Sequence, residues 1–248
     1  MFEFRRFKYN GNQMFKYIRS ISQISNGDYY TAIQKKQSLV YYAFINEFDI
    51  TGYSDILSDI EMKKVEGFFT SDDKMRSIVG SMIIRQILAL LIQVKPCSVQ
   101  ILAGKFGKPY CTDSICHFNI SHSNNCVVVA LNSMYVGVDV EFICPGINWN
   151  EIAELIFSEK ECQGLLQENN VKKYLMTWVY KEALGKLIGC GLNQQLLRQF
   201  YIENINWGLN ILKHKAFQFN ININIVEIAD NYILALITAD EQWWRGFL

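Results

Sequence analysis

The chain has 248 residues, half of them apolar, enough to bury one large core or two modest ones. Lys plus Arg equals Asp plus Glu at 24 each, so the basic surplus on which general nucleic-acid binding rests is missing, and any anionic ligand must be met by local charge. Seven Cys with no CxxC pair and only three His fit a reduced, cytoplasmic protein better than a disulfide framework or a zinc site; the one tight grouping, Cys111, Cys116 and His117, lacks a second pair of ligands.

Residues 1–38 mix aromatics with basic side chains, carry no clear period and no apolar segment of signal-peptide type, and are read as an N-terminal extension of unknown order. A strand LVYYAFINEF follows from Leu39. Next comes LSDIE at 57–61, in which Ser58 and Glu61 make a capping box, the local signal that opens a helix. The long helix SDDKMRSIVGSMIIRQILALL runs from Ser71. Its apolar run from Ile78 is interrupted by Arg85 and Gln86 and reads as too short and too polar to cross a bilayer, so no membrane partner is expected. GKFGKPY reads as a loop, HFNISH as a short strand and CVVVALN as a buried strand. VGVDVE at 136–141 is a further strand, FSEKE at 157–161 a second capping box, and VKKYLMTWVYKEALGKLIG from Val171 a second long helix. RQFYIENINW, HKAFQFNININI and YILALITA close the chain as a meander.

The order strand, capping box, long helix occurs twice at an offset near 100 residues, with Val79 matching Val179, Ile84 Leu184 and Leu88 Ile188. This predicts an α+β (α/β) fold of two similar halves related by a pseudo-twofold, residues 39–134 and 135–248, each a small sheet on a long helix. The cleft between such halves is where a ligand would sit.

Several residues can carry chemistry, and each has a plain alternative. In VGVDVE, Asp139 and Glu141 project from one strand face and Val138 and Val140 from the other. The acids stand about 6.6 Å apart along the strand and repel by about 2.5 kcal/mol at an effective dielectric near 20. Water can screen that on an exposed face, and a shared cation can reverse it in a cleft. In HFNISHS, Ser121 beside His122 suggests nucleophilic catalysis, but adjacent strand residues point apart and no G-x-S-x-G elbow is present. Lys108 in GKFGKPY is a weak phosphate signal without P-loop spacing, and a surface turn is its alternative. Trp178, Glu182 and Lys186 share one helical stripe, where the plain reading is an exposed Glu–Lys pair worth a few tenths of a kcal/mol.

Taken in order, GKP, FNISHS, VGVDVE, FSEKE and WVYKEALGKLIGCGL resemble the motifs of the 4′-phosphopantetheinyl transferases of the large, Sfp-type class. The resemblance runs from about Leu39 to Ile205 and includes DKMRSIVGSMIIR, with Arg76, Gly80 and Arg85 in place. It implies a Mg²⁺-dependent enzyme, with Mn²⁺ as an acceptable substitute, that moves phosphopantetheine from coenzyme A to a serine of an apo acyl or peptidyl carrier protein. By likeness Asp139, Glu141 and Glu182 hold the ion, Glu182 or a water it holds is the base, and Lys186 stabilises the departing oxygen. Lys108, Ser121 and His122 match residues that grip the coenzyme A phosphates, and Arg76 and Ser77 lie toward the nucleotide. Where the family often carries a basic cluster, this chain has Glu61, Met62, Lys63 and Lys64, which leaves Lys63 and Lys64 for the 3′-phosphate. A monomer is expected because both halves are on one chain, and secondary metabolism, nonribosomal peptide or polyketide, is the favoured pathway, with fatty acid synthesis the other source of carriers. The alternative function is a catalytically silent coenzyme A or nucleotide-binding protein of the same fold.

Overall fold

A strand that is apolar on both faces must be covered on both faces. CVVVALN meets that condition: all seven residues of Cys126–Asn132 are buried. The layers that cover it build the fold. The computed structural model describes residues 13–35, 37–104, 106–114, 116–144, 149–168, 170–214, 221–229 and 231–240. Residues 1–12 of the extension and residues 241–248 of the second half lie outside the described residues.

In chain order the elements are β1 (Gln13–Tyr17), α1 (Asn26–Gln34), β2 (Ser38–Phe44), α2 (Tyr53–Ile56), α3 (Asp59–Glu66), α4 (Ser71–Ile92), β3 (Leu102–Ala103), β4 (Pro109–Tyr110), β5 (His117–Ser123) and β6 (Cys126–Asn132). The second half continues with β7 (Tyr135–Phe142), α5 (Trp149–Ile156), α6 (Glu159–Glu168), α7 (Val171–Ile188), α8 (Gln194–Leu197), β8 (Phe200–Tyr201), β9 (Gly208–His214), β10 (Ile221–Ile228) and β11 (Tyr232–Ala239).

One sheet has the order β1-β2-β6-β5 and the other β7-β11-β10-β9-β8. The hairpin β5–β6 beside β2 repeats as the hairpin β10–β11 beside β7, which is the expected two-half plan. Alternation sets the faces. Leu39, Tyr41, Val127 and Val129 face α4, whereas Val40, Val128 and Ala130 meet Val136, Val138, Val140, Leu234 and Leu236 between the sheets. On the outer side of the second sheet, Ile223, Ile233 and Ile237 pack under α7. The layers are therefore α4, first sheet, second sheet, α7.

The extension packs on the first half over its described part. Strand β1 pairs in parallel with β2, and Ile18, Ile24, Tyr29 and Ala32 join the core over α4. Helix α4 begins seven residues before Ile78, at a Thr70 cap that accepts the Asp73 amide, and its 22 residues are by length and composition enough to cross a membrane. That corrects the expectation of a segment too short and too polar. Ten of its residues are buried, as in a core helix.

Both capping boxes form, Ser58 with Glu61 and Ser158 with Glu161. Each capping glutamate also holds a buried cation from the long helix of its half. Arg85 bonds Glu61 and donates to Pro96 O and Val99 O. Lys181, fully buried, lies 2.9 Å from Glu161 Oε2 and donates to Leu197 O and Phe200 O at 2.8 and 2.6 Å. The same device, a helix cap tied to the next helix through a desolvated ion pair, thus occurs once per half.

Candidate active site

Helix α7 lies directly on β7 because position 137 has no side chain. A Cβ at Gly137 would stand 2.2 Å from Ala183 O and 2.7 Å from Leu187 N. The helix ends at Gly189, which takes the left-handed φ of 75° that favours glycine. This close seat carries Glu182 and Lys186 over the face of β7 that bears Asp139 and Glu141.

Asp139 is 2% exposed, so the solvated-face alternative does not hold for it. Its Oδ1 is 2.6 Å from Lys186 Nζ and accepts the Ser121 hydroxyl at 2.7 Å. Its Oδ2 is buried and has no hydrogen-bond partner. Burial, helped by the Glu141 charge, pushes the Asp139 carboxyl up to about 6 although the Lys186 ammonium pulls the other way. Glu182 is pushed up to about 7, first by burial and next by the Asp139 charge. Lys186 therefore does not form the exposed pair with Glu182 that helix spacing allows. It reaches across to Asp139 and to Ser121 Oγ, 2.7 Å away on β5.

Glu141 is held at both oxygens: Oε2 accepts the Ser123 hydroxyl at 2.6 Å and Oε1 accepts the Trp178 indole N–H at 3.2 Å. Among the described residues, no three His, Cys, Asp or Glu side chains converge as a ready-made metal cluster. Asp139, Glu141 and Glu182 are instead mutually repelling neighbours on β7 and α7, with one buried oxygen unsatisfied. An all-carboxylate set with excess negative charge fits a hard divalent cation such as Mg²⁺.

Asn119, Ser121 and Ser123 tie β5 to β7. Their oxygens accept the backbone N–H groups of Val138, Val140 and Phe142 at 2.9, 3.4 and 3.1 Å. The constant offset shows that β5 and β7 run parallel, with side chains in place of a backbone ladder. This seam joins the two sheets at the acids. Lys108, on the loop before β4, closes the same junction by donating to Val136 O at 3.0 Å and Leu187 O at 3.1 Å. Burial draws its ammonium down to about 8. Beside it a cavity of about 210 Å³ lies between the halves, lined by Phe106, Lys108, Asn119, Gly185, Lys186 and Gly189 among others.

Arg76 on α4 donates to Asn124 O in the β5–β6 turn and to Asp73; burial, then the charges of Arg76 and Lys186, hold the His122 imidazole below its usual range. Ser77 is the next residue of α4 and is half-buried. Lys63 and Lys64 are exposed on α3, where Lys64 lies over the Phe68 ring. The structure thus gathers Lys108, Ser121, Asp139, Glu141, Glu182 and Lys186 around one junction, with His122 and Arg76 at its rim, and among the described residues no hydrogen bond or ion pair ties Lys63 or Lys64 to that group. Ser123 and Lys181 were not singled out by sequence reasoning. The period-two spacing of Asn119, Ser121 and Ser123 was a signal for the seam, but nothing local named β7 as its partner.

Two family models match the chain. One, described as the 4′-phosphopantetheinyl transferase superfamily, covers residues 135–237, and the other, described as the 4′-phosphopantetheinyl transferase N-terminal region, covers residues 46–134. The chain is 32% identical over 153 residues to the 4′-phosphopantetheinyl transferase gsp of Aneurinibacillus migulanus, 59% of this chain and 63% of that one. To 4′-phosphopantetheinyl transferase Sfp of Bacillus subtilis it is 29% identical over 58% of this chain and 65% of that protein. To 4′-phosphopantetheinyl transferase HetI of Nostoc sp. it is 26% identical over 77% and 82%. The match to gsp and to Sfp spans somewhat less than two thirds of their length.

Proposed function

The chain belongs to the 4′-phosphopantetheinyl transferase superfamily, and on that premise we propose that it transfers the 4′-phosphopantetheine group of coenzyme A to a serine hydroxyl of an apo acyl or peptidyl carrier protein. The serine oxygen forms a bond to the phosphorus next to pantetheine, the bond from that phosphorus to the diphosphate bridge oxygen breaks, and adenosine 3′,5′-bisphosphate leaves. The observation that supports this best is the pairing of opposite tasks on one helix turn. Glu182 is held near 7, where a carboxylate can take the serine proton at neutral pH. Lys186, one turn on, lines the cavity between the halves, where its ammonium can meet the charge that grows on the departing oxygen.

Asp139, Glu141 and Glu182 would hold Mg²⁺, which when bound neutralises charge on the diphosphate. Lys108, by the ammonium proton not given to Val136 O and Leu187 O, and His122 would orient the phosphates, while Ser121, whose proton goes to Asp139, would act by holding that carboxylate. The His122 ring, kept below its usual range, serves as a neutral hydrogen-bond donor. Arg76 and Ser77, with Lys63 and Lys64, face the nucleotide end. Two halves on one chain support a monomer, and seven free thiols support a reducing, cytoplasmic setting. The carrier is proposed to belong to nonribosomal peptide or polyketide assembly, with fatty acid carriers as the competing acceptors. A silent coenzyme A-binding protein of the same fold would have no need of Glu182 and Lys186 one turn apart beside the acids of β7.

The test is incubation of the full chain with coenzyme A, Mg²⁺ and a panel of apo carrier proteins, followed by intact-mass measurement. A gain of one phosphopantetheine on a carrier, abolished by thorough chelation, is expected. No gain on any carrier, with coenzyme A bound normally, would return the protein to the silent alternative.

A further inference from the structure

We propose that Ser123, together with Trp178, is a positioning residue that fixes the Glu141 carboxylate for a divalent cation. The inference rests on the reading of Glu141 as a ligand in the proposed reaction, but it comes from the hydrogen-bond valence of one serine. A hydroxyl has one proton to donate and two lone pairs. Ser123 Oγ stands 3.1 Å from the Phe142 N–H, which can only donate. The single Ser123 proton is therefore directed to Glu141 Oε2, 2.6 Å away. A serine free in solvent could rotate its hydroxyl, but this one is oriented by the backbone of β7.

The other carboxylate oxygen is met by a group that is equally one-directional. Trp178 Nε1 is a donor only and lies 3.2 Å from Glu141 Oε1. One donor comes from β5 in the first half and the other from α7 in the second, so the carboxylate plane is set only when the halves are docked. Each oxygen keeps a lone pair for a cation. The neighbouring acid is treated alike: Ser121 Oγ faces two donors, Val140 N–H and Lys186 Nζ, so its one proton goes to Asp139 Oδ1. The serines two apart on β5 thus orient the acids two apart on β7, which gives the sequence periods of FNISHS and VGVDVE one common purpose.

Residues that orient a ligand from behind usually change metal affinity by about tenfold to a hundredfold when removed. The probe is Mn²⁺, its binding to the full chain read by electron paramagnetic resonance with coenzyme A present. Ser123→Ala should bind Mn²⁺ at least about tenfold more weakly than the parent chain, and Ser123→Thr, which keeps the hydroxyl, should recover most of the loss. In a Glu141→Gln background, Ser123→Ala should cause no further weakening, because the residue acts through Glu141. A merely structural serine would weaken binding equally in both backgrounds, and that result overturns the proposal. So does a Ser123→Ala affinity within about twofold of the parent. If Ser123→Ala does not fold, Trp178→Phe decides by the same comparison, since it removes the donor to Oε1 without touching β5. The two readings fail differently: a parent chain that neither binds Mn²⁺ nor modifies any carrier sinks the proposed function and this inference with it. A parent that does both, with unchanged binding in the variants, sinks the positioning role alone.

Discussion

Replacing Lys181 by Met removes a positive charge that the second half buries completely. The ammonium meets Glu161 Oε2 at 2.9 Å, Leu197 O at 2.8 Å and Phe200 O at 2.6 Å. Met fills similar volume, so little of the effect comes from a cavity. What remains is a buried glutamate without its counter-ion and two carbonyls without their donor. Breaking a buried pair from one side costs about 3–5 kcal/mol. Glu161 keeps the Ser158 and Ile202 amides, at 2.8 and 3.3 Å, which places the expected loss near the lower end, about 3 kcal/mol. For a chain of this size each kcal/mol moves the midpoint by about 2–4 °C, so Tm should fall by about 6–12 °C. Thermal unfolding followed by circular dichroism measures it. Adding Glu161→Gln should restore part of the loss, because it removes the stranded charge. A fall in Tm below about 2 °C, or a double variant less stable than the two losses summed, would refute the buried-pair reasoning.

Gly137→Ala forces a Cβ to within 2.2 Å of Ala183 O, so α7 must lift from β7; a stability loss of at least about 1–3 kcal/mol with collapse of activity is expected, and normal urea midpoints would mean the helix seat is looser than it looks. Glu182 has a folded pKa of about 7 against an ordinary 4.5, so between these values the folded chain keeps a proton that the unfolded chain has released. Stability should therefore fall as pH rises through that window, by at most about 1.4 kcal/mol per pH unit, and Mg²⁺ should flatten the slope. Urea midpoints at both ends of the window check this, and the same slope in Glu182→Gln would rule Glu182 out as its source. In carrier modification assayed at saturating coenzyme A, Glu182→Gln should lower kcat by roughly two to four orders of magnitude, and near-normal turnover would remove Glu182 from the role of base. Lys186→Ala should lower kcat with little change in coenzyme A affinity, since the charge it meets grows mainly as the diphosphate breaks, and an equal rise in KM would assign it to ground-state binding instead.

Much of the fold was legible because its signals are short-range. The Ser58–Glu61 and Ser158–Glu161 boxes each need only four consecutive residues, and both form. The doubled order of strand, box and helix reappears as hairpin β5–β6 beside β2 and hairpin β10–β11 beside β7. Of the meander after α7, YILALITA is β11 and the end of HKAFQFNININI opens β10, but only Phe200–Tyr201 of RQFYIENINW is strand, β9 up to Lys213 fell between the segments read from sequence, and residues 215–220 lie outside the described residues. The start of α4 at Ser71 was legible as well, although its polar first turns carry no apolar period.

By itself, then, the sequence determined the faces: alternation puts Asp139 and Glu141 on one side of β7, and the helical period puts Trp178, Glu182 and Lys186 on one side of α7. Which groups those faces meet was settled only by docking. Lys186 could have paired with Glu182 one turn away at little cost, yet it bonds Asp139 and Ser121, because α7 lies tight on Gly137 and brings a buried carboxylate within 2.6 Å. Lys108, a surface-turn lysine by spacing, spends its donors on carbonyls from both β7 and α7. A side chain's protonation and partners depend on how much water is excluded around it, and here that exclusion comes with contacts 28 to 79 positions apart, which no local pattern specifies.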